Sequence, residues 1–274
     1  RSSASNSTWG RSRSGRPPAT TYNNFGILLM ESGRLPDARR AFRKCRTLAE
    51  ASGEFRAISH CHGNLGVLTY YSGEMTVAVS HARMQVDMMK RTGTQYGLIQ
   101  SLLSLAEVLP CRGYFDEAMH DLEKAGALAR ENGIPAMELL AGLQRGWVLL
   151  QLGDYGEAAR AFADLETPLE KAGYRVHRVS CALGLVNADI ALGDLDSAGR
   201  RLDGLPSRLP RQHIISDLLY RISRGRFCAA KGDLPSACRA FICAGSLARR
   251  LSYPPYDLEA HLALAQCRLT SGET

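Results

Sequence analysis

The chain has 274 residues, of which 45% are hydrophobic, 22% charged and 7% aromatic, a composition typical of globular proteins and not of disordered or fibrous ones. No run of about 18 apolar residues occurs, so the sequence predicts no membrane span. The formal net charge is +7. Because no apolar signal-peptide core follows Arg1, we expect a fragment or processed form without an export signal, located in the cytoplasm.

The first 19 residues form a segment rich in serine and arginine, which ends with Pro17, Pro18 and Ala19. This segment carries four arginines and no acidic residue. Segments of such composition do not bury enough apolar surface to fold by themselves. Residues 1–19 are therefore predicted to be a disordered tail or linker.

Beyond this segment, glycine recurs with a period of 40 residues. The series is Gly33, Gly73, Gly113, Gly153 and Gly193, continued after a one-residue slip by Gly232 and Gly272. An alanine follows five residues after the first six of these glycines: Ala38, Ala78, Ala118, Ala158, Ala198 and Ala237. A period of this length is typical of proteins built from stacked supersecondary units.

Each repeat divides into two helices. A second glycine series (Gly53, Gly93, Gly133, Gly173) lies halfway between the first, and the apolar residues between glycines recur at three- and four-residue steps. Glycine can end a helix with a left-handed cap, and Thr76, Asp116 and Asp196 are predicted to be N-caps of second helices. The pattern predicts hairpins at about 20–54, 55–94, 95–134, 135–174, 175–213 and 214–253, with an incomplete repeat at 254–274.

Helix-breaking residues interrupt the pattern at three places, of which Pro168 is expected to kink the second helix of the fourth repeat. Pro110 is expected to disturb the end of the first helix of the third repeat. In the fifth repeat, the run 203–206 (Asp-Gly-Leu-Pro) and Pro210 are expected to shorten the second helix and open a loop near residues 204–212.

The repeated residues resemble the tetratricopeptide repeat. That family has a small residue, a glycine seven later, an alanine after five more and an aromatic after another four. The same pattern appears here as Gly26, Gly33, Ala38 and Phe42, and again as Gly146, Gly153, Ala158 and Phe162. The 40-residue length is similar to the long repeats of kinesin light chains, G-protein-modulating scaffolds and sensor arrays of maltose-regulator-like ATPases. The resemblance implies an all-α, right-handed solenoid of about six and a half helical hairpins.

The resemblance also implies a groove on the concave side, lined by the first helix of each hairpin. Its residues stand about three, six, nine and ten places before the loop glycine, which identifies a candidate partner-binding groove of Asn23, Asn24, Ile27, Asn64, Val67, Tyr70, Glu107, Gln144, Trp147, Asn187 and Arg226. Trp147 is the best anchor candidate, with partial burial against the neighbouring hairpin as the alternative. Chaperone-binding members clamp a terminal carboxylate with Lys and Asn, and this chain departs from that set at Ile27 and Gly63.

The sequence contains no motif for catalysis, cofactor binding or metal binding. Phosphate loops, HExxH, GxSxG and dinucleotide fingerprints are missing. His60, Cys61 and His62 are adjacent on one helix, so they point in different directions and do not close a tetrahedral zinc site. The eight cysteines include no CxxC pair and are interpreted as reduced, mostly buried residues. We therefore expect no enzyme activity, no cofactor and no metal.

One region has an excess of positive charge. Residues 200–250 contain eleven Lys and Arg against three Asp, which could face an acidic partner or form a solvated helix face. Nucleic acid is disfavoured as a partner because neither aromatic stacking residues nor a reading module accompanies the charge. The sequence thus predicts a non-enzymatic scaffold that binds a peptide or protein segment. The alternative is the ligand- or protein-sensing array of a larger signal-transduction ATPase or transcriptional regulator.

Overall fold

The computed structural model describes residues 17–206, 209 and 214–271. Most of the segment predicted to be a disordered tail, and much of the loop predicted near residues 204–212, lie outside these ranges. Within the described residues no helix is long and apolar enough to cross a membrane.

The described residues form helices and no strands. Six helical hairpins are followed by the first helix of a seventh, which confirms the predicted fold. The first helices are α1 (Ala19–Glu31), α3 (Phe55–Tyr71), α5 (Gln95–Val108), α7 (Pro135–Leu152), α9 (Arg175–Leu192), α11 (Ile214–Ala230) and α13 (Pro254–Ser271). The second helices are α2 (Leu35–Ser52), α4 (Met75–Thr92), α6 (Phe115–Glu131), α8 (Tyr155–Lys171), α10 (Leu195–Gly204) and α12 (Leu234–Arg250).

The turns between helices follow the two glycine series. Every glycine of both series within the described residues has a positive φ, for example 86° at Gly153. Ser252 takes the equivalent place between α12 and α13 and also has a positive φ, of 58°. At Pro110 the end of the third repeat's first helix tightens into a 3-10 turn, Leu109–Arg112, as the proline predicted.

The predicted N-caps are wrong by two residues. The second helices begin two residues after the loop glycine, so Thr76, Asp116 and Asp196 lie inside the first turn. The residue directly after the glycine takes the cap position instead. In α10 and α12 these caps are Asp194 and Asp233, whose side chains accept hydrogen bonds from the backbone N–H three residues later.

Aromatic residues of the second helices pack against glycines of the first helices. Phe162 of α8 is fully buried between Gly146 of α7 and Gly184 of α9. A Cβ at Gly146 would lie 2.6 Å from the Phe162 ring, and one at Gly184 would lie 2.4 Å from it. In the first, fourth and sixth repeats, where Gly26, Gly146 and Gly225 face Phe42, Phe162 and Phe241, the glycine therefore leaves space for an aromatic ring.

The two ends of the solenoid contact each other. Tyr253, in the turn before α13, donates a hydrogen bond from its hydroxyl to the Met30 carbonyl oxygen of α1 at 3.1 Å. The Tyr253 ring meets the Tyr71 ring edge-on at 5.3 Å, and Leu251 packs so closely on Gly33 that a Cβ there would lie 2.7 Å from it. The described hairpins thus complete about one turn of the superhelix, in which the last turn before α13 contacts α1 and α3.

The prediction of reduced cysteines is wrong for one pair. Cys45 of α2 and Cys61 of α3 are joined by a disulfide, with their Cα atoms 6.6 Å apart. Consecutive helices direct both side chains into the same buried cluster, so a pair separated by 16 residues meets without a CxxC motif. Of the remaining cysteines, Cys243 is exposed and Cys181 and Cys267 are buried.

Candidate functional site

The first helices form the inner layer of the superhelix. Each of them contacts the next first helix along the chain, from α1 to α13, whereas successive second helices do not come equally close within the described residues. In a curved stack of hairpins, the more closely spaced helices lie on the inside. The first helices therefore lie on the concave side, and they are the helices that carry the candidate groove residues.

Hydrogen bonds link these inner side chains from one repeat to the next. Asn64 Nδ2 donates to Asn23 Oδ1 at 2.7 Å, and Asn187 Nδ2 donates to Ser223 Oγ at 3.0 Å. Arg226 of α11 links α9 to α13, because it donates to Asn187 Oδ1 at 3.0 Å and to Glu259 Oε1 at 2.7 Å. These candidate residues are thus tied to neighbouring repeats.

Trp147 is also held in place. Its indole Nε1 donates to Ser180 Oγ of the next repeat at 3.0 Å, and its ring meets Phe162 edge-on at 5.7 Å. The side chain is half-buried. The indole therefore combines packing against the core with a partly open face on the concave surface.

Glu107 differs from the other inner side chains. It is exposed to solvent and has no hydrogen-bond or ion-pair partner among the described residues. The superhelix nevertheless surrounds it at longer range, and this desolvation raises the pKa of its carboxyl. Its charge in turn contributes to the raised pKa values of Tyr70, Tyr71 and Tyr256, for which burial is the largest cause.

These three tyrosines and Tyr253 contact one another ring to ring. The Tyr70 and Tyr71 rings lie 5.5 Å apart, Tyr71 meets Tyr253, and Tyr253 meets Tyr256 at 6.4 Å. Only Tyr70 had been predicted as a groove residue. The other three pack together where the two ends of the superhelix meet, which no signal in a single repeat indicates.

Gln144, another candidate residue, also has an unpartnered polar atom. Its Oε1 atom is buried and has no hydrogen-bond partner among the described residues. Gln144 occupies the place in the fourth repeat that Ser223 occupies in the sixth, nine residues before the loop glycine. Ser223 binds Asn187, six residues before the glycine of the preceding repeat, and Gln144 stands in the same sequence register to Glu107.

Two histidines pack together outside the groove. His62 Nδ1 lies 2.9 Å from His81 Nδ1, and burial, with the charges of His81 and Arg46, lowers the pKa of His62 to about 4. The part of the chain that the structure describes contains no group of three or more His, Cys, Asp or Glu able to hold a metal ion.

Part of the positive charge in the 200–250 region is already paired. Arg201 bonds Glu166 and Asp189, Arg221 bonds Asp217, and the ion pairs of Arg226 with Glu259 and of Arg249 with Asp257 complete the set. The residues between 207 and 213 that add to this charge are mostly outside the described ranges. The acidic partner remains a prediction.

Comparison with known proteins gives two family matches. Residues 65–198 match the family described as the C-terminal domain of suppressor of spindle checkpoint defect 1, and residues 19–52 match the tetratricopeptide repeat. The chain is also 25% identical over 166 residues to the HTH-type transcriptional regulator MalT of Klebsiella pneumoniae. The aligned residues cover 59% of this chain and 18% of MalT. It thus spans less than a fifth of the curated relatives it matches.

Solved structures share the architecture at low identity. A Rap protein complexed with competence and sporulation factor has a TM-score of 0.66 and 14% identity, over 93% of this chain and 76% of the Rap chain. A signal-transduction ATPase with a tetratricopeptide repeat sensor from Pyrococcus horikoshii has a TM-score of 0.55 and 16% identity, over 92% of this chain and 37% of that protein. The fold is therefore that of a helical-repeat solenoid.

The repeats can be assigned more narrowly. The family match of residues 19–52, the glycine and alanine spacing and the paired helices agree with one another. Residues 19–52 are thus similar to the tetratricopeptide repeat, and the later hairpins repeat the same glycine and alanine spacing.

Proposed function

We propose that this chain is a non-enzymatic scaffold that binds a peptide or protein segment on the concave surface of its superhelix. The observation that carries the proposal is the unpartnered Glu107, which lies on a concave surface where Asn64, Asn187 and Arg226 are paired. A concave surface with fixed walls and free polar groups suits an extended or helical segment. The similarity to a Rap protein complexed with competence and sporulation factor supports this interpretation.

The proposal is tested by selecting binders from a displayed library of short random peptides on the immobilised chain. Affinities of selected synthetic peptides are then measured for Asn24→Arg and for Thr47→Arg. Both positions are exposed, Asn24 in the concave series of α1 and Thr47 on the second helix α2. We expect Asn24→Arg to weaken binding and Thr47→Arg to leave it unchanged. Equal affinities for both variants would place the binding surface elsewhere.

The second candidate function is a sensor array within a larger regulator. The similarity to MalT and to the sensor-bearing ATPase favours it. A library of small neutral metabolites, screened by thermal shift on the chain, distinguishes the two. A metabolite that raises the unfolding temperature, together with no selected peptide, would favour the sensor. Selected peptides that lose affinity in Asn24→Arg would favour the scaffold.

A further inference from the structure

The concave surface near Glu107 has the chemistry of a cation site. Two unpartnered oxygen acceptors, the Glu107 carboxylate and the Gln144 Oε1 atom, stand in the sequence register of the bonded pair Asn187 and Ser223. The Glu107 carboxylate and the Gln144 Oε1 atom both accept hydrogen bonds, so each of them needs a donor. A ligand that satisfies both must donate, and a positively charged nitrogen group donates several bonds at once.

The surrounding side chains favour the same ligand. Tyr70, Tyr71 and Tyr256 are close enough for the Glu107 charge to act on each of them. Aromatic faces attract cations through the ring quadrupole, and the attraction grows when the cation loses water. In contrast, Glu259, the other carboxylate of this neighbourhood, is already neutralised by Arg226. Glu107 is thus the one carboxylate of this neighbourhood, among the described residues, without a counter-charge.

The pairing pattern along the groove shows that this gap is local. Asn23 with Asn64, Trp147 with Ser180, and Arg226 with Glu259 each satisfy an inner polar group through the next repeat. At the third repeat the corresponding side chain receives no such partner. An uncompensated charge in a partly desolvated site raises the free energy of the unbound protein. A ligand cation that pairs with Glu107 removes this cost and is therefore bound more tightly.

We propose that the concave surface at Glu107 and Gln144 binds a positively charged nitrogen of the bound peptide, from a Lys or Arg side chain or from the peptide amino terminus. This inference rests on the proposed function, because it names the chemistry of the segment that lies in the groove. Glu107 accepts the charge, the Gln144 amide rotates so that its buried Oε1 atom accepts a further N–H, and the partly exposed Tyr70 and Tyr256 cover the apolar stem of the ligand side chain.

The test uses the synthetic peptides selected on the wild-type chain. Each is prepared unmodified, with an acetylated amino terminus, and with its Lys acetylated or Arg replaced by Gln. We expect one of these modifications to weaken binding at least about tenfold, a change of about 1.4 kcal/mol. The modification that acts identifies the source of the cation. Binding that survives all modifications would overturn the inference while leaving the groove proposal intact.

Variants of the chain give the reciprocal measurement. Glu107→Gln keeps the side-chain shape and should weaken the unmodified peptide about tenfold but leave the neutralised peptide unaffected. Glu123→Gln, at an exposed carboxylate on the second helix α6, is the matched control. Gln144→Glu adds a second charge and should strengthen binding. Unchanged affinity in both Glu107→Gln and Gln144→Glu would refute the site, and enrichment of no peptide at all would refute the groove itself.

Discussion

Gly146→Ala tests why the fourth repeat carries a glycine on its first helix. The new Cβ would lie 2.6 Å from the Phe162 ring, and Gly184 of α9 approaches the same ring edge as closely, which limits where the ring can move. Overpacking of this kind costs about 1–3 kcal/mol, and the enclosed ring favours the upper end. Replacing glycine by alanine inside a helix returns about 1 kcal/mol. The expected result is a net loss of about 2 kcal/mol.

The matched control is Gly126→Ala in α6. There the new Cβ would meet only the Ala141 methyl, at 3.7 Å, which is an ordinary contact. The helix-propensity gain should therefore remain, and the variant should be more stable by roughly 0.5–1 kcal/mol. Both variants are compared with the wild type by urea denaturation, followed by far-ultraviolet circular dichroism.

A double variant examines the proposed contact directly. Phe162→Leu alone opens space and destabilises the core. In the Gly146→Ala background the same change should cost much less, because it also removes the clash. If Gly146→Ala stabilises the chain as much as Gly126→Ala does, or if the two effects add without coupling, the packing explanation of the small residue is wrong.

Three further outcomes follow from local geometry. The pKa of His62 is about 4 in the folded chain against its ordinary 6.5, so on acidification the unfolded chain binds the proton first. The free energy of unfolding should therefore fall between about pH 6.5 and pH 4, by at most about 3 kcal/mol. His62→Asn should reduce this fall, measured as the urea midpoint at each pH. Asp194→Ala and Asp233→Ala should each cost about 1 kcal/mol through loss of a helix cap, measured by thermal unfolding, whereas no change would show that the caps are solvated. Tyr253→Phe removes the bond to Met30 and should cost about 0.5–1.5 kcal/mol, with faster amide exchange in α1 as the local signature and unchanged exchange as the contrary result.

The periodic part of the fold was predictable because its causes are local. The loop glycines require a left-handed backbone, and the spacing of apolar residues defines one buried face for each helix. The positions of the N-caps were not predictable, since a hairpin tolerates a helix start one or two residues earlier. Asp194 and Asp233, which cap α10 and α12, directly follow the loop glycine. Only the backbone geometry distinguishes these capping aspartates from Asp116 and Asp196.

The site was predictable only in part, for a different reason. Family register indicated which side chains face inward, but pairing between repeats depends on the rotation from one hairpin to the next. The same holds for the contact between Met30 and Tyr253, which are 223 residues apart. Small rotations accumulate over six repeats, so superhelix closure, and with it the places of Tyr71 and Tyr256, follows from packing that no single repeat encodes.

Closure of the superhelix has an energetic consequence for binding. Asn64, Asn187 and Arg226 already exchange hydrogen bonds with neighbouring repeats, so a partner that used them would replace one bond by another with little net gain. Groups without partners add their interaction in full, and walls that are already fixed need not be ordered when the partner arrives. Affinity should therefore concentrate at Glu107 and Gln144, whereas the paired side chains hold the surface in shape.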